Sequence, residues 1–187
     1  MPSPRADDVW IDRFIRRLES LAPDEREPDR ATLAKLRRGL GKPVGHAAER
    51  DIWVFANLGD VGPEKEEAAA LVASLFALHP KSGQGGLGDA FRQLHKQRQE
   101  SPSIEKRFAV LLDAEREDLP HRLRQAISLL KADEIPLDWK RLLKDLIHWE
   151  REDRRVQRYW ARQFWSGRSS DDAAETEPAS LQERSTP

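Results

Sequence analysis

The chain has 187 residues, no cysteine and a formal net charge of −1, with 35% of its residues charged and 38% apolar. That length suffices for a real core in one domain or two small ones, and the lack of cysteine excludes a disulfide scaffold, a thiolate metal site and a cysteine nucleophile. No apolar run approaches the roughly 18 residues of a membrane span, and the start, MPSPRADDVW, has no signal-peptide core, so a soluble cytoplasmic protein without a membrane partner is expected.

Helical periodicity dominates, and no sustained period-two run predicts a strand. Val9, Trp10, Phe14, Ile15 and Leu18 stripe a first amphipathic helix that ends before the polar connector APDEREP. Asp29 is placed to cap a second helix over RATLAKLRRGL, stopped by Gly39 and Gly41 ahead of Pro43. A third is predicted from about His46 to Leu58, with Ile52, Trp53 and Phe55 apolar. Gly62-Pro63 opens a fourth, PEKEEAAALVASLFALH, with proline at its first position, acids in its first turn and a stop at His79-Pro80. The glycine-rich PKSGQGGLG that follows reads as a flexible linker. DAFRQLHKQRQ is the fifth helix, and Ser101 or Ser103 caps the sixth, IEKRFAVLLDAE, whose inner face is Ile104, Phe108, Leu111 and Leu112. Leu119, Leu123, Ile127 and Leu130 stripe the seventh, and Leu137 and Trp139 lead into a last long helix.

That last helix contains HWEREDRRVQRYWARQFW, with three tryptophans and five arginines in residues 148–165. At about 100° per residue, Lys144, Arg155, Arg158 and Arg162 fall within roughly 40° of Arg151. Leu142, Leu146, Trp149, Val156, Trp160 and Phe164 fall on the opposite side, so a cationic ridge backs an apolar stripe. Asp153 lies within the stripe and is expected to accept a buried hydrogen bond or to pair with an arginine of another helix. Asp145, Glu150 and Glu152 sit beside the ridge, where local pairs are weak. The expected architecture is all-α: an N-terminal helical bundle over 1–80, the glycine-rich loop 81–88, a second small bundle packed beside it over 89–165, no sheet, and a disordered acidic tail over 166–187. The tail holds five acids against two arginines, which leaves +2 on the remainder.

Catalytic and cofactor patterns are missing. His46, His79, His95, His121 and His148 show no i, i+4 pair and no HExxH, so no metal site is expected. GLGKP is not a nucleotide loop, because Pro43 stands where a magnesium-binding Ser or Thr is needed. No G-x-S-x-G elbow is present. What remains is a set of cations: Arg37 and Arg38 ending the second helix, Lys65 opening the fourth, Lys81 in the loop, Lys106, Arg107 and Arg116 on the sixth, Arg122 and Arg124 on the seventh, and Arg151, Arg155 and Arg158 on the ridge. Gathered on one surface, such side chains bind a phosphate backbone; individually they are ordinary surface charges.

The order AALVASLFALHP, a glycine-rich loop with LGDAF, SPSIEKRFAVLLDAEREDLPHRLRQAISLLKA, then IPLDWKRLLKDLIHWEREDRRVQRYWARQFW resembles the CasB family over roughly residues 30–165. These are small subunits of the type I-E CRISPR surveillance complex, Cascade. The resemblance implies two helical bundles, no enzymatic activity, and two copies stacked head to tail among the other Cascade subunits; no cofactor is expected from the residues. It implies help in holding guide RNA paired with target DNA and a basic path for the displaced strand. It places nucleic-acid contacts at the matching Arg37, Arg38, Lys65, Lys106, Arg107, Arg122 and Arg124, without saying which strand each touches. The competing expectation is a helical scaffold that contacts only protein subunits.

The wheel also places Trp160 in the core rather than on a stacking surface. Trp160→Ala is expected to cost about 3–5 kcal/mol in denaturant unfolding; native stability with lost nucleic-acid binding would instead make it an exposed stacking residue.

Overall fold

The computed structural model describes residues 6–23 and 26–166, with side chains from residue 9 onward. The described residues form nine helices and no sheet: α1 (Ala6–Glu19), α2 (Arg30–Arg37), α3 (Ala48–Leu58), α4 (Pro63–Leu78), α5 (Leu87–Gln97), α6 (Pro102–Leu112), α7 (Leu119–Ala132), α8 (Trp139–Ile147) and α9 (Arg155–Trp165). The expected acidic tail lies outside the described residues beyond Ser166.

Local chemistry starts and stops these helices. Asp29 accepts from Thr32 N at 2.9 Å, the expected N-cap. Pro63 stands at the first turn of α4, and His79 ends that helix. Asp138 caps α8 by accepting from Arg141 N at 2.8 Å. Ser101 precedes α6 without a side-chain cap bond; its hydroxyl meets that of Ser103 instead.

Helix α4 is alanine-rich and buried along most of its length. Short side chains let neighbours approach from several directions, and α2, α3, α7 and α8 all pack on it. Helix α1 also reaches α8, while α5, α6 and α9 pack on one another. One buried cluster runs from Trp10 in α1 to Phe164 in α9.

Four expectations change. The last helix is two: α8 ends at Ile147, and 148–154 turn before α9. Residues 150–155 are six consecutive charged side chains, so nothing apolar holds a helix there against the core. Arg154 takes left-handed backbone geometry (φ 44°), and its guanidinium donates to Leu112 O at 2.5 Å, at the carboxyl end of α6. Asp153 is consequently exposed, accepting from Arg155 N and facing Arg151. The buried carboxylate of this region is Asp145, which sequence spacing puts beside the ridge.

Second, α3 turns Ile52 and Phe55 outward, and its buried residues are Arg50, Asp51, Val54 and Leu58. The cause is an internal ion pair. Arg50 donates to the carbonyls of Gly39, Lys42 and Pro43 at 2.7–2.9 Å and pairs with Asp51, which accepts from Gly45 N at 2.9 Å. Loop 39–47 wraps around this pair, and the pair fixes the rotation of α3. Third, Val9 faces outward on α1.

Fourth, the glycine-rich loop is pinned. Gly83 N donates to Leu137 O (3.1 Å), Leu137 N to Lys81 O (3.2 Å), and Trp139 Nε1 also to Lys81 O (3.2 Å). The buried His79 ring holds Ile135 O at 2.7 Å from Nε2, and burial lowers its pKa. The glycines serve close approach. A Cβ at Gly83 would lie 2.6 Å from Pro136 Cβ, and one at Gly88 would run into the carbonyl oxygen of Trp160 and lie 2.8 Å from Gln163 Cβ.

Gly88→Ala therefore sets two effects against each other. Helix propensity favours alanine by about 1 kcal/mol, whereas overpacking costs about 1–3 kcal/mol or more. The obstructing atoms include α9 backbone, which cannot rotate aside, so the clash wins. A net loss of about 1–2 kcal/mol is expected in urea unfolding; a stabilised variant would show that α5 and α9 do not meet this closely.

Candidate nucleic-acid interface

The twelve cations singled out in the sequence divide by what surrounds them. Lys106 and Arg107 on α6 and Arg122 on α7 line one surface groove of about 390 Å³. Ser103, Gln125, Val110 and Leu129 are among its other lining residues, none of which is a carboxylate. The stripe of Ile104, Phe108 and Leu111 on α6 and that of Leu123, Ile127 and Leu130 on α7 are buried. That packing aims the charged positions between them outward. None of the three cations makes an ion pair among the described residues.

Arg155 and Arg158 form a second exposed set on α9, joined by Arg162. The face behind them is buried: Val156, Trp160 and Phe164 enter the core, and Gln157 donates to Trp149 O at 2.9 Å. Trp160 is fully buried and Trp149 nearly so, which leaves neither ring open for base stacking. The break before α9 removes Lys144 and Arg151 from a shared helical face with these arginines. Trp165 is half-buried, against Phe108 and Phe164, with Nε1 3.4 Å from Glu105.

Four of the cations are matched by acids. Arg38 pairs with Glu49, Lys81 faces Glu134 at 3.9 Å, and Arg151 faces Asp153 at 3.6 Å. Arg116 bridges Glu67 (2.7 Å) and Glu150, and the hydrogen bond it donates to Glu67 leads in raising its pKa. Arg37 is exposed at the end of α2. Arg124 is exposed on the far side of α7, in a second groove that also holds Glu67, Glu117 and Glu150. Lys65 is half-buried.

One cationic surface was missed. Arg13, Arg16 and Arg17 on α1 line a shallow concavity with Phe55 and Asn57 of α3 and Gly59 just beyond it. Arg13 donates to Leu58 O at 3.0 Å, satisfying a carbonyl at the end of α3. The signal was in the sequence: 13, 16 and 17 are i, i+3, i+4 on one helical face. Among the described residues no group of three or more His, Cys, Asp or Glu is placed to hold a metal ion. No described helix is long and apolar enough to cross a membrane.

A family model described as CRISPR-associated protein Cse2 matches residues 32–165. A CRISPR-associated protein Cse2 from Thermus thermophilus is 38% identical over 150 residues, 79% of this chain and 86% of that protein. The crystal structure of M. ruber CasB superimposes with a TM-score of 0.71 at 32% identity, covering 89% of this chain and 98% of that one. A chain of a CRISPR RNA-guided surveillance complex shares the fold, with a TM-score of 0.71 at 24% identity over 84% of this chain and 92% of that one.

Proposed function

The chain belongs to the CRISPR-associated Cse2 family, whose solved members are also called CasB, and from that premise we propose that it is a non-catalytic small subunit of a type I-E RNA-guided surveillance complex. In this reading it works in the cytoplasm beside other Cascade subunits and a second, head-to-tail copy of itself. It holds guide RNA and target DNA in the opened state and gives the displaced strand a basic path, in antiviral defence.

The observation that carries the reading is the α6–α7 groove, where three cations converge with no carboxylate among the lining residues. A net charge of −1 gives no bulk attraction to a polyanion, so binding must come from a local surface of this kind. Such a groove neutralises phosphates and reads no bases, which suits a complex in which base pairing supplies the sequence specificity. The α9 arginines extend the cationic area. Arg38, Lys81, Arg116 and Arg151 contribute less, because each already faces an acid.

The scaffold reading has one observation in its favour. Ile52 and Phe55 are exposed side by side on α3, 70% and 45% accessible, beside the Arg13–Arg17 concavity. An apolar pair rimmed by arginine suits a protein partner. The two readings are compatible, with α3 facing a subunit and α6–α7 facing nucleic acid.

Replacing Lys106, Arg107 and Arg122 by glutamine is expected to weaken binding of unrelated single-stranded oligonucleotides to a similar extent. It should also flatten the log–log salt dependence by roughly 0.7 per lost phosphate contact, about 2 in all. The paired cations Arg38 and Lys81, replaced likewise, should leave the slope nearly unchanged. Fluorescence anisotropy over a salt series reads both, with circular dichroism confirming the fold. Unchanged affinity and slope, with a subunit that fails to join its complex, would favour the scaffold.

A further inference from the structure

We propose that the acidic segment 169–183 of this same chain docks in the α6–α7 groove and competes there with the nucleic-acid backbone. The inference concerns regulation of the surface assigned above, and its competitive half rests on that assignment.

Charge complementarity is the first support. Residues 169–183, SSDDAAETEPASLQE, contain five carboxylates, at Asp171, Asp172, Glu175, Glu177 and Glu183, and no cation. The groove presents Lys106, Arg107 and Arg122 and no carboxylate. Two other groups of cations are poorer acceptors of this segment. The Arg116 and Arg124 groove already contains three glutamates, and Arg38 and Arg151 are paired.

Tethering is the second. The segment leaves the fold from Ser166 at the end of α9, where Trp165 packs on Phe108 of α6 and its indole N–H lies against Glu105. Glu105 immediately precedes Lys106, so the exit point lies against the helix that forms one wall of the groove. Asp171 is five residues beyond Ser166, and five extended residues span about 17 Å. Asp172, Glu175 and Glu177 follow with growing reach. A tether this short gives an effective concentration of order millimolar, so weak exposed ion pairs suffice for occupancy. No fixed conformation is required, because carboxylates exchanging among three cations offset the same charge. The bound state is salt-labile and yields to a strand with a higher density of phosphates.

Function gains from such a competitor. A short oligoanion held at the groove excludes weak, nonspecific nucleic acid, while a strand presented by an assembled complex displaces it.

The absence of cysteine makes the test direct. A nitroxide attached at Ala173→Cys in the full chain should broaden the amide resonances of residues 103–110 and 122–129 at low salt. That broadening should vanish at high salt and in the variant also carrying D171N, D172N, E175Q and E177Q. A saturating single-stranded oligonucleotide should release it. The chain ended after Gly167 should bind that oligonucleotide about fivefold more tightly at low salt, with the difference lost at high salt. Broadening that only declines with distance from Ser166, without a maximum at the groove, would overturn the docking. Groove broadening that survives saturation would overturn the competition. An oligonucleotide that fails to bind at all, seen by anisotropy, would count against the nucleic-acid reading, while the relaxation data alone still decide the docking.

Discussion

The indole N–H of Trp160 donates to Asp145 Oδ2 at 2.7 Å, and Arg141 donates from Nε to Oδ1 of the same carboxylate at 3.1 Å. Asp145 belongs to α8 and Trp160 to α9, so this buried contact joins the two sides of the break at 148–154. A buried carboxylate is costly unless its oxygens are satisfied, and a buried indole N–H needs an acceptor. Each group reduces the other's penalty, which favours the one return angle of α9 that brings them together. Around that point Trp149 and Trp160 lie 5.1 Å apart, and Phe164 stacks on Phe108 at 4.6 Å. With its aromatic face held there, α9 leaves Arg155, Arg158 and Arg162 on the surface.

The same economy of charge recurs elsewhere. Arg50 and Asp51 are buried and complete one another while ordering loop 39–47. Arg98 binds Asp133 at 2.5 Å across the ends of α5 and α7, and Arg141 also lies over the ring of Tyr159 at 4.3 Å. Arginines used in this way hold helices together and are not available to a partner. The α6–α7 groove differs because its cations stand beside apolar walls without acids. A near-neutral chain thereby acquires a local field, and such fields govern capture of a polyanion.

Much of this was legible in the sequence, for identifiable reasons. Apolar stripes such as Leu119, Leu123, Ile127 and Leu130 have the helical period and a single buried solution, and they are buried. Asp29 and Pro63 carry their capping roles in their own side chains. The resemblance carried by the KRF…LL and LP-x-x-LRQA segments gave the family, and three of the twelve cations singled out, Lys106, Arg107 and Arg122, line one groove. What was not legible depends on partners distant in sequence. Nothing near Arg50 announces that it will turn inward onto the carbonyls of Gly39, Lys42 and Pro43. The wheel over 139–165 assumed one continuous helix, and the all-charged run 150–155 was the available warning. The glycine-rich loop looked like a linker because close approach and flexibility use the same residue.

The role given to Asp145 is tested most directly by the stability difference between the native chain and Asp145→Ala as pH changes. Burial raises the pKa of this carboxylate above its ordinary 3.8, against the opposing hydrogen bonds from Trp160 and Arg141. Between the ordinary and the raised value, the folded state holds a proton that the unfolded chain has released. The stability this adds is fully present below the unfolded pKa and is lost as pH rises through the folded one. At neutral pH the substitution should cost about 1–3 kcal/mol, since the Trp160 N–H loses its acceptor. The account predicts that this gap widens as pH falls toward about 4. A gap that closes on acidification, as it does for an ordinary surface ion pair, would contradict it.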